Sequence, residues 1–189
     1  MDSLIFGKNG QIVLDFMSLA SSPSKGCLMA MMDKNLTQKM SLFSVKNIAE
    51  ENLAPDGREN ESHVTILYGF EPDFVVTDEL EPFLATQEPM TMELGSISRF
   101  ESPEYDVLKA EINCDAAQKL HYALKNKFKD SIVSKFPVYF PHATLAYVKK
   151  GAHPELDGHE GLKGLKFSVD SLLFSPADGK NRKNLKLKQ

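Results

Sequence analysis

Apolar positions along the chain alternate at strand spacing in several short runs and recur at helical spacing in a few others. Cys27 to Met32 reads as a strand. Leu36, Met40, Phe43 and Ile48 stand near helical spacing and predict a helix over 36–50. The polar stretch APDGRENES (54–62) has no apolar period and reads as a connection to the apolar run HVTILYGF. A short helix is expected over 79–86, with Asp78 as its N-cap. Runs 90–100 and 105–112 read as strands joined through a turn at Ser102-Pro103. Asp115 is placed to cap an amphipathic helix reaching about residue 130, with Leu120, Leu124 and Phe128 four residues apart. Final strands are expected at 142–148, 166–175 and 183–188.

The apolar run QIVLDF and the linker-like SSPSKG set off residues 1–25 as an extension that packs loosely or adds an edge strand. Residues 26–189 then form one domain of two lobes. Each half holds strands and a helix that precedes an apolar strand. The fold class is α+β with antiparallel sheets rather than a doubly wound parallel sheet.

Composition adds mainly exclusions. The chain has 189 residues, 42% hydrophobic and 25% charged, an ordinary globular balance. No apolar run is long enough to span a bilayer. Asp2 and Asp15 with a single early lysine, Lys8, do not form a signal-peptide layout. Net charge is −4, which disfavours long nucleic acid as a partner and leaves room for a small nucleotide in a locally basic cleft. Cys27 and Cys114 lack metal-ligand spacing, suit a reducing compartment and read as small packing residues. A cytoplasmic location is expected.

Candidate chemistry sits in a repeated tripeptide. His63-Val64-Thr65 and His142-Ala143-Thr144 each open a strand-like run and continue with two apolar residues and a tyrosine. A strand places residues i and i+2 on one face, ~7 Å apart along it. Each copy therefore presents an imidazole and a hydroxyl together. A single His-x-Thr in a strand carries little meaning, but its repetition suggests two lobes giving equivalent halves to one site. Two imidazoles suit acid–base cleavage of a phosphodiester, one neutral and one protonated. Thr65 and Thr144 supply donors to the phosphoryl oxygens. No metal or other cofactor is needed for that set.

With this pair the chain resembles the two-histidine (2H) phosphoesterase superfamily, whose signature is two H-x-[ST] motifs about a lobe apart. The segments ESHVTILYGF, ISRFESPEYDVLKAEI and FPHATLAYVKKG resemble the phage-encoded branch in particular. The resemblance covers about residues 26–175. It implies two pseudo-symmetric lobes with antiparallel sheets around a central cleft, and His63, Thr65, His142 and Thr144 as catalytic residues. It also implies a metal-independent phosphodiesterase acting on 3′-5′ cyclic oligonucleotides, in the manner of phage enzymes that destroy the cyclic signals of bacterial CBASS immunity. The host cytoplasm would be its setting. RNA-end 2′,3′-cyclic phosphodiesterase or 2′-5′ RNA ligase-like activity is the alternative, as is a non-catalytic nucleotide-binding or phage structural protein.

Around the motifs several residues carry two readings. Phe100, read as lying in a turn at the mouth of the cleft, is a base-stacking candidate or a packing residue. Lys149 and Lys150 follow the second motif, and Lys149 is the candidate for phosphate attraction against plain solvated surface. Tyr68 and Tyr147 stand five positions after their histidines, an odd offset that puts them on the opposite face, in the core. His121 flanks the core side of its helix. His153, Asp157 and His159 have weak metal-ligand spacing. The basic tail of Lys180, Arg182, Lys183, Lys186 and Lys188 contacts phosphates or protects an edge strand.

Overall fold

The computed structural model describes residues 25–76, 78–133 and 138–189, together with the strand backbone of 5–6 and 12–13. Its elements in chain order are β1 (Ile5–Phe6), β2 (Ile12–Val13), β3 (Gly26–Met31), α1 (Lys34–Asn47), β4 (Leu53–Arg58), β5 (His63–Phe70), α2 (Leu80–Leu84), β6 (Met90–Glu101), β7 (Tyr105–Asn113), α3 (Asp115–Lys127), β8 (His142–Lys149), β9 (Lys166–Val169), β10 (Ser171–Ser175) and β11 (Lys183–Lys186). They form an α+β fold with two sheets. One runs β11-β10-β3-β5; the other runs β1-β2-β6-β7-β8-β4, with β9 also on β6. Among the described strands all pairings are antiparallel except β2 on β6, where Val13 stands beside Glu101. The extension thus adds an edge, one of the two outcomes expected for it.

The first motif strand ends its sheet, and the second lies between two neighbours, β7 and β4. β5 pairs with β3, and β8 pairs with β7. The helices are exchanged between halves: α3 lies on β5, and α1 lies on β8. Each helix buries its apolar stripe against the other half's motif strand: Leu36 and Met40 from α1, Leu120 and Leu124 from α3. Behind β5 an aromatic group of Phe70, Phe74, Phe128 and Phe174 closes the core, with ring centroids 4.7 Å apart for Phe70–Phe74 and 5.4 Å for Phe70–Phe174.

Several boundaries differ from the sequence reading. The polar stretch before the first motif contains β4, an edge strand of the second sheet that pairs with β8. Its Pro55 and Gly57 hide it, and both are tolerated because an edge strand need not donate along its whole length. The run 166–175 is broken at Asp170 into β9 and β10, which belong to different sheets. The N-cap of α2 is Glu79, not Asp78, and makes no side-chain capping bond. For α3 it is Cys114, whose Sγ accepts from Ala117 N at 3.4 Å. Asp115 instead lies in the first turn, where its charge complements the helix dipole.

Gly69 holds a backbone that other residues reach only with strain, at φ +116°. A Cβ there would stand 2.5 Å from the Val133 carbonyl oxygen. Gly69→Ala is expected to cost roughly 1–3 kcal/mol, read as a lower urea midpoint at unchanged m-value. An unchanged midpoint would mean that the 132–133 segment shifts freely. Among the described residues no helix is long and apolar enough to cross a membrane.

Candidate active site

Both motif strands contain a β-bulge directly after the threonine. On β5 the register passes from Thr65↔Met29 to Leu67↔Leu28, leaving Ile66 as the extra residue. On β8 it passes from Thr144↔Lys109 to Ala146↔Leu108, leaving Leu145. An extra residue reverses the parity of everything beyond it. Tyr68 and Tyr147 therefore return to the face of their histidines, contrary to the expected core placement, and both are half-buried. Simple alternation counting fails here because the strand is not regular.

The bulges expose backbone carbonyls, and the exchanged helices satisfy them. His121 of α3 donates through Nδ1–H to Ile66 O at 2.7 Å. Ser44 of α1 donates to Leu145 O at 3.4 Å, at the equivalent point of the second copy. Tyr139 stacks flat on His121, with centroids 4.0 Å apart, and donates its hydroxyl to Thr65 O at 2.8 Å. Burial lowers the pKa of His121 and raises that of Tyr139, so both are neutral groups suited to these bonds. His121 is thus a brace for the first motif rather than a mere flanking residue.

His63 and His142 are held alike. Nδ1 of His63 lies 2.7 Å from Glu61 O, and Nδ1 of His142 lies 2.7 Å from Phe140 O. A carbonyl only accepts, so each Nδ1 carries a hydrogen and each Nε2 is left to exchange a proton. β5 and β8 approach each other where the sheets meet. Positive charge on His63 opposes protonation of His142. Burial, the largest cause, together with Lys109 and His63, pushes His142 down to about 4, against a hydrogen bond to Phe140 O that works upward. Thr65 and Thr144 are half-buried on the same faces. The Cys27 thiol, raised to about 11 by burial, stays protonated and faces Thr65 Oγ1 at 3.9 Å.

Phe100 belongs to β6, not to the turn after it, and is 8% exposed. It reaches the site as packing: its ring meets His142 edge-on, with centroids 4.8 Å apart. A base cannot stack on a face already occupied, and Lys109 Nζ lies 4.3 Å from the Phe100 centroid. Lys149 shares the face of His142 but is exposed at the far end of β8, ~20 Å away by strand rise. Lys150 is paired with Glu101 and Asp106.

The remaining histidines serve the fold. His153 Nε2 accepts from Ala49 N at 3.2 Å, and its Nδ1 meets Glu155 at 2.9 Å. Asp157 binds Arg99, and His159 Nδ1 accepts from Gly161 N. Among the described residues no group of three or more His, Cys, Asp and Glu forms a metal-holding cluster. In the tail, Arg182, Lys183 and Lys188 pair with Glu61, Glu81 and Glu88, which matches the position of β11 at a sheet edge. Sequence reasoning missed Lys109 and Tyr139. A lysine inside the strand run YDVLKAEI, cross-strand from Thr144, was the available signal for the first. Tyr139 gave none.

A family model for the 2'-5' RNA ligase superfamily matches residues 39–180. No curated protein matches the chain in sequence. Among solved structures, TT0787 of Thermus thermophilus is similar with a TM-score of 0.62 at 14% identity, covering 87% of this chain and 100% of that one. E. coli LigT complexed with 3'-AMP has a TM-score of 0.59 at 17% identity, covering 89% of this chain and 100% of LigT. Kluyveromyces marxianus Usb1 with uridine monophosphate has a TM-score of 0.54 at 17% identity, covering 86% of this chain and 98% of Usb1.

Proposed function

Since the chain belongs to the 2'-5' RNA ligase superfamily, whose members act on phosphodiester bonds, we propose that it is a metal-independent phosphodiesterase that opens 3′-5′ cyclic oligonucleotides. The observation that carries this reading is the matched pair of imidazoles, each with Nδ1 tied to a carbonyl and Nε2 left for proton transfer. One Nε2 takes the proton of a ribose 2′-hydroxyl, whose oxygen attacks the adjacent phosphorus. The other protonates the departing 5′-oxygen as the P–O5′ bond breaks. The product is a linear oligonucleotide ending in a 2′,3′-cyclic phosphate. An internal nucleophile gains from high effective molarity, which is how two imidazoles suffice. Thr65 and Thr144 donate to the non-bridging oxygens. The proton transfers and the donors all come from the two motifs, so the reaction is expected to proceed in EDTA.

A small nucleotide suits this face. LigT and Usb1 are seen with 3'-AMP and uridine monophosphate, ligands of that size and class. The resemblance of the strand segments to phage-encoded members supports a counter-defence role in a host cytoplasm, with residues 26–189 as the acting domain. The superfamily's own description favours a second reading, cleavage or sealing at RNA ends. A panel of cyclic di- and trinucleotides, their 2′-deoxy analogues and RNA bearing a 2′,3′-cyclic phosphate, in EDTA and read by product mass, separates the two. Opening of ribo-rings with resistance of the deoxy-rings is the expected result. Rapid cleavage of a deoxy-ring would make water the nucleophile. Action on RNA ends alone would establish the second reading. Activity lost in EDTA and restored by a divalent ion would sink the metal-free mechanism.

A further inference from the structure

The two motif strands share the same bulged register after the threonine, but the residue opposite that threonine differs. Across from Thr65 stands Met29; across from Thr144, at the equivalent register, stands Lys109. Both are buried, 6% and 5% exposed. A buried ammonium is costly unless it is compensated. Lys109 Nζ donates to Ser98 Oγ at 2.6 Å and lies over the Phe100 ring. The edge of Phe100 meets the His142 ring in turn. In the first half the matching position opposite Thr65 holds the uncharged thioether of Met29, and a cation on that side, Arg182, is paired with Glu61.

We propose that Lys109 is a positioning residue acting through His142: it holds Phe100 against the imidazole, and its charge opposes a second proton on that ring. His142 is then the base and His63 the acid. This rests on the phosphodiesterase reading above and removes its symmetry, because the attacking 2′-hydroxyl belongs on the β8 side and the departing 5′-oxygen on the β5 side. The charged groups around Lys109 are Glu111 on its own strand and Asp157 in the loop after β8, which both favour its ammonium form. Lys109 and His63 are the charged groups that act on His142, and both disfavour a second proton there. Burial outweighs the two carboxylates and brings Lys109 down to about 8, so at neutral pH the ammonium form still prevails.

Lys109→Gln keeps a donor for Ser98 and removes the charge. Lys109→Arg keeps the charge. Ring NMR of His63 and His142 across pH 3–9, with and without a slowly cleaved nucleotide, is compared with the pH profile of kcat/KM. Expected is a rise of the His142 midpoint by on the order of one pH unit in Lys109→Gln, with little change in Lys109→Arg. The acidic limb of kcat/KM should climb by the same amount, since a base must lose its proton to act. An unmoved His142 midpoint in Lys109→Gln overturns the proposal. So does a midpoint that moves while the acidic limb stays, or a limb that follows His63. Should Lys109→Gln fail to fold, Lys109→Met, which copies the other half, gives the same reading. The NMR arm decides the coupling without turnover, so a wild type inactive on every nucleotide would reject the phosphodiesterase reading and leave that result standing.

Discussion

Alanine at His63 or at His142 is expected to lower turnover by roughly two to four orders of magnitude each, with the fold intact and nucleotide affinity largely kept. Each ring is tied through Nδ1 to a carbonyl two residues upstream, both residues are half-buried, and the His142 ring also meets Phe100 edge-on. Removing a ring therefore costs proton transfer more than stability. The double variant should be little worse than the poorer single one, because base and acid act in one step and their losses do not add. Thr65→Ala and Thr144→Ala should cost less, each removing one donor of several. Single-turnover rates beside equilibrium binding separate these effects. A single histidine variant that kept near-wild-type turnover would end the two-histidine mechanism.

Asp106→Ala is expected to destabilise the protein by about 3–5 kcal/mol and lower Tm by roughly 10 °C, although Asp106 faces away from the histidines. Its carboxylate is 2% exposed and meets Arg99 Nη1 at 3.0 Å, Lys150 Nζ at 2.9 Å and Gly151 N at 2.8 Å. The Arg99 side chain is itself 5% exposed and also binds Asp157 and the carbonyls of Ala152 and His153. Loss of Asp106 leaves a buried guanidinium short of its most enclosed partner and frees the loop after β8. Loss of the partner is the expensive event here, since the desolvation of Arg99 has already been met. Thermal melting of Asp106→Ala beside Lys150→Ala tests this. Lys150 is 45% exposed, and its loss should be within about 1 kcal/mol. Equal small losses in both would show that Arg99 finds other partners.

Much was legible in the linear chain. The repeated His-x-Thr with its apolar continuation identified the two motif strands and their common face. Period-four leucines located α3, and alternation located β6 and β7. These signals are local: a histidine and threonine two apart share a face in any strand, and a leucine stripe marks any helix laid on a core. Repetition of a local pattern also announced two similar halves.

What tertiary structure alone decided depends on which strand lies beside which. The bulges at Ile66 and Leu145 came from pairing with β3 and β7, and they turned Tyr68 and Tyr147 toward the site. The split at Asp170 arose because two neighbouring strands join different sheets. β4, with its proline and glycine, is a strand only because the edge of β8 was open to it. Lys109 came beside the second motif through its cross-strand neighbours Thr144 and Ser98, and of the two readings left open for Phe100 the pairing of β6 with β7 makes it a buried packing residue. Parity within one strand is a property of sequence. Partners across strands, and the electric field they create at His142, are set only when distant segments are paired.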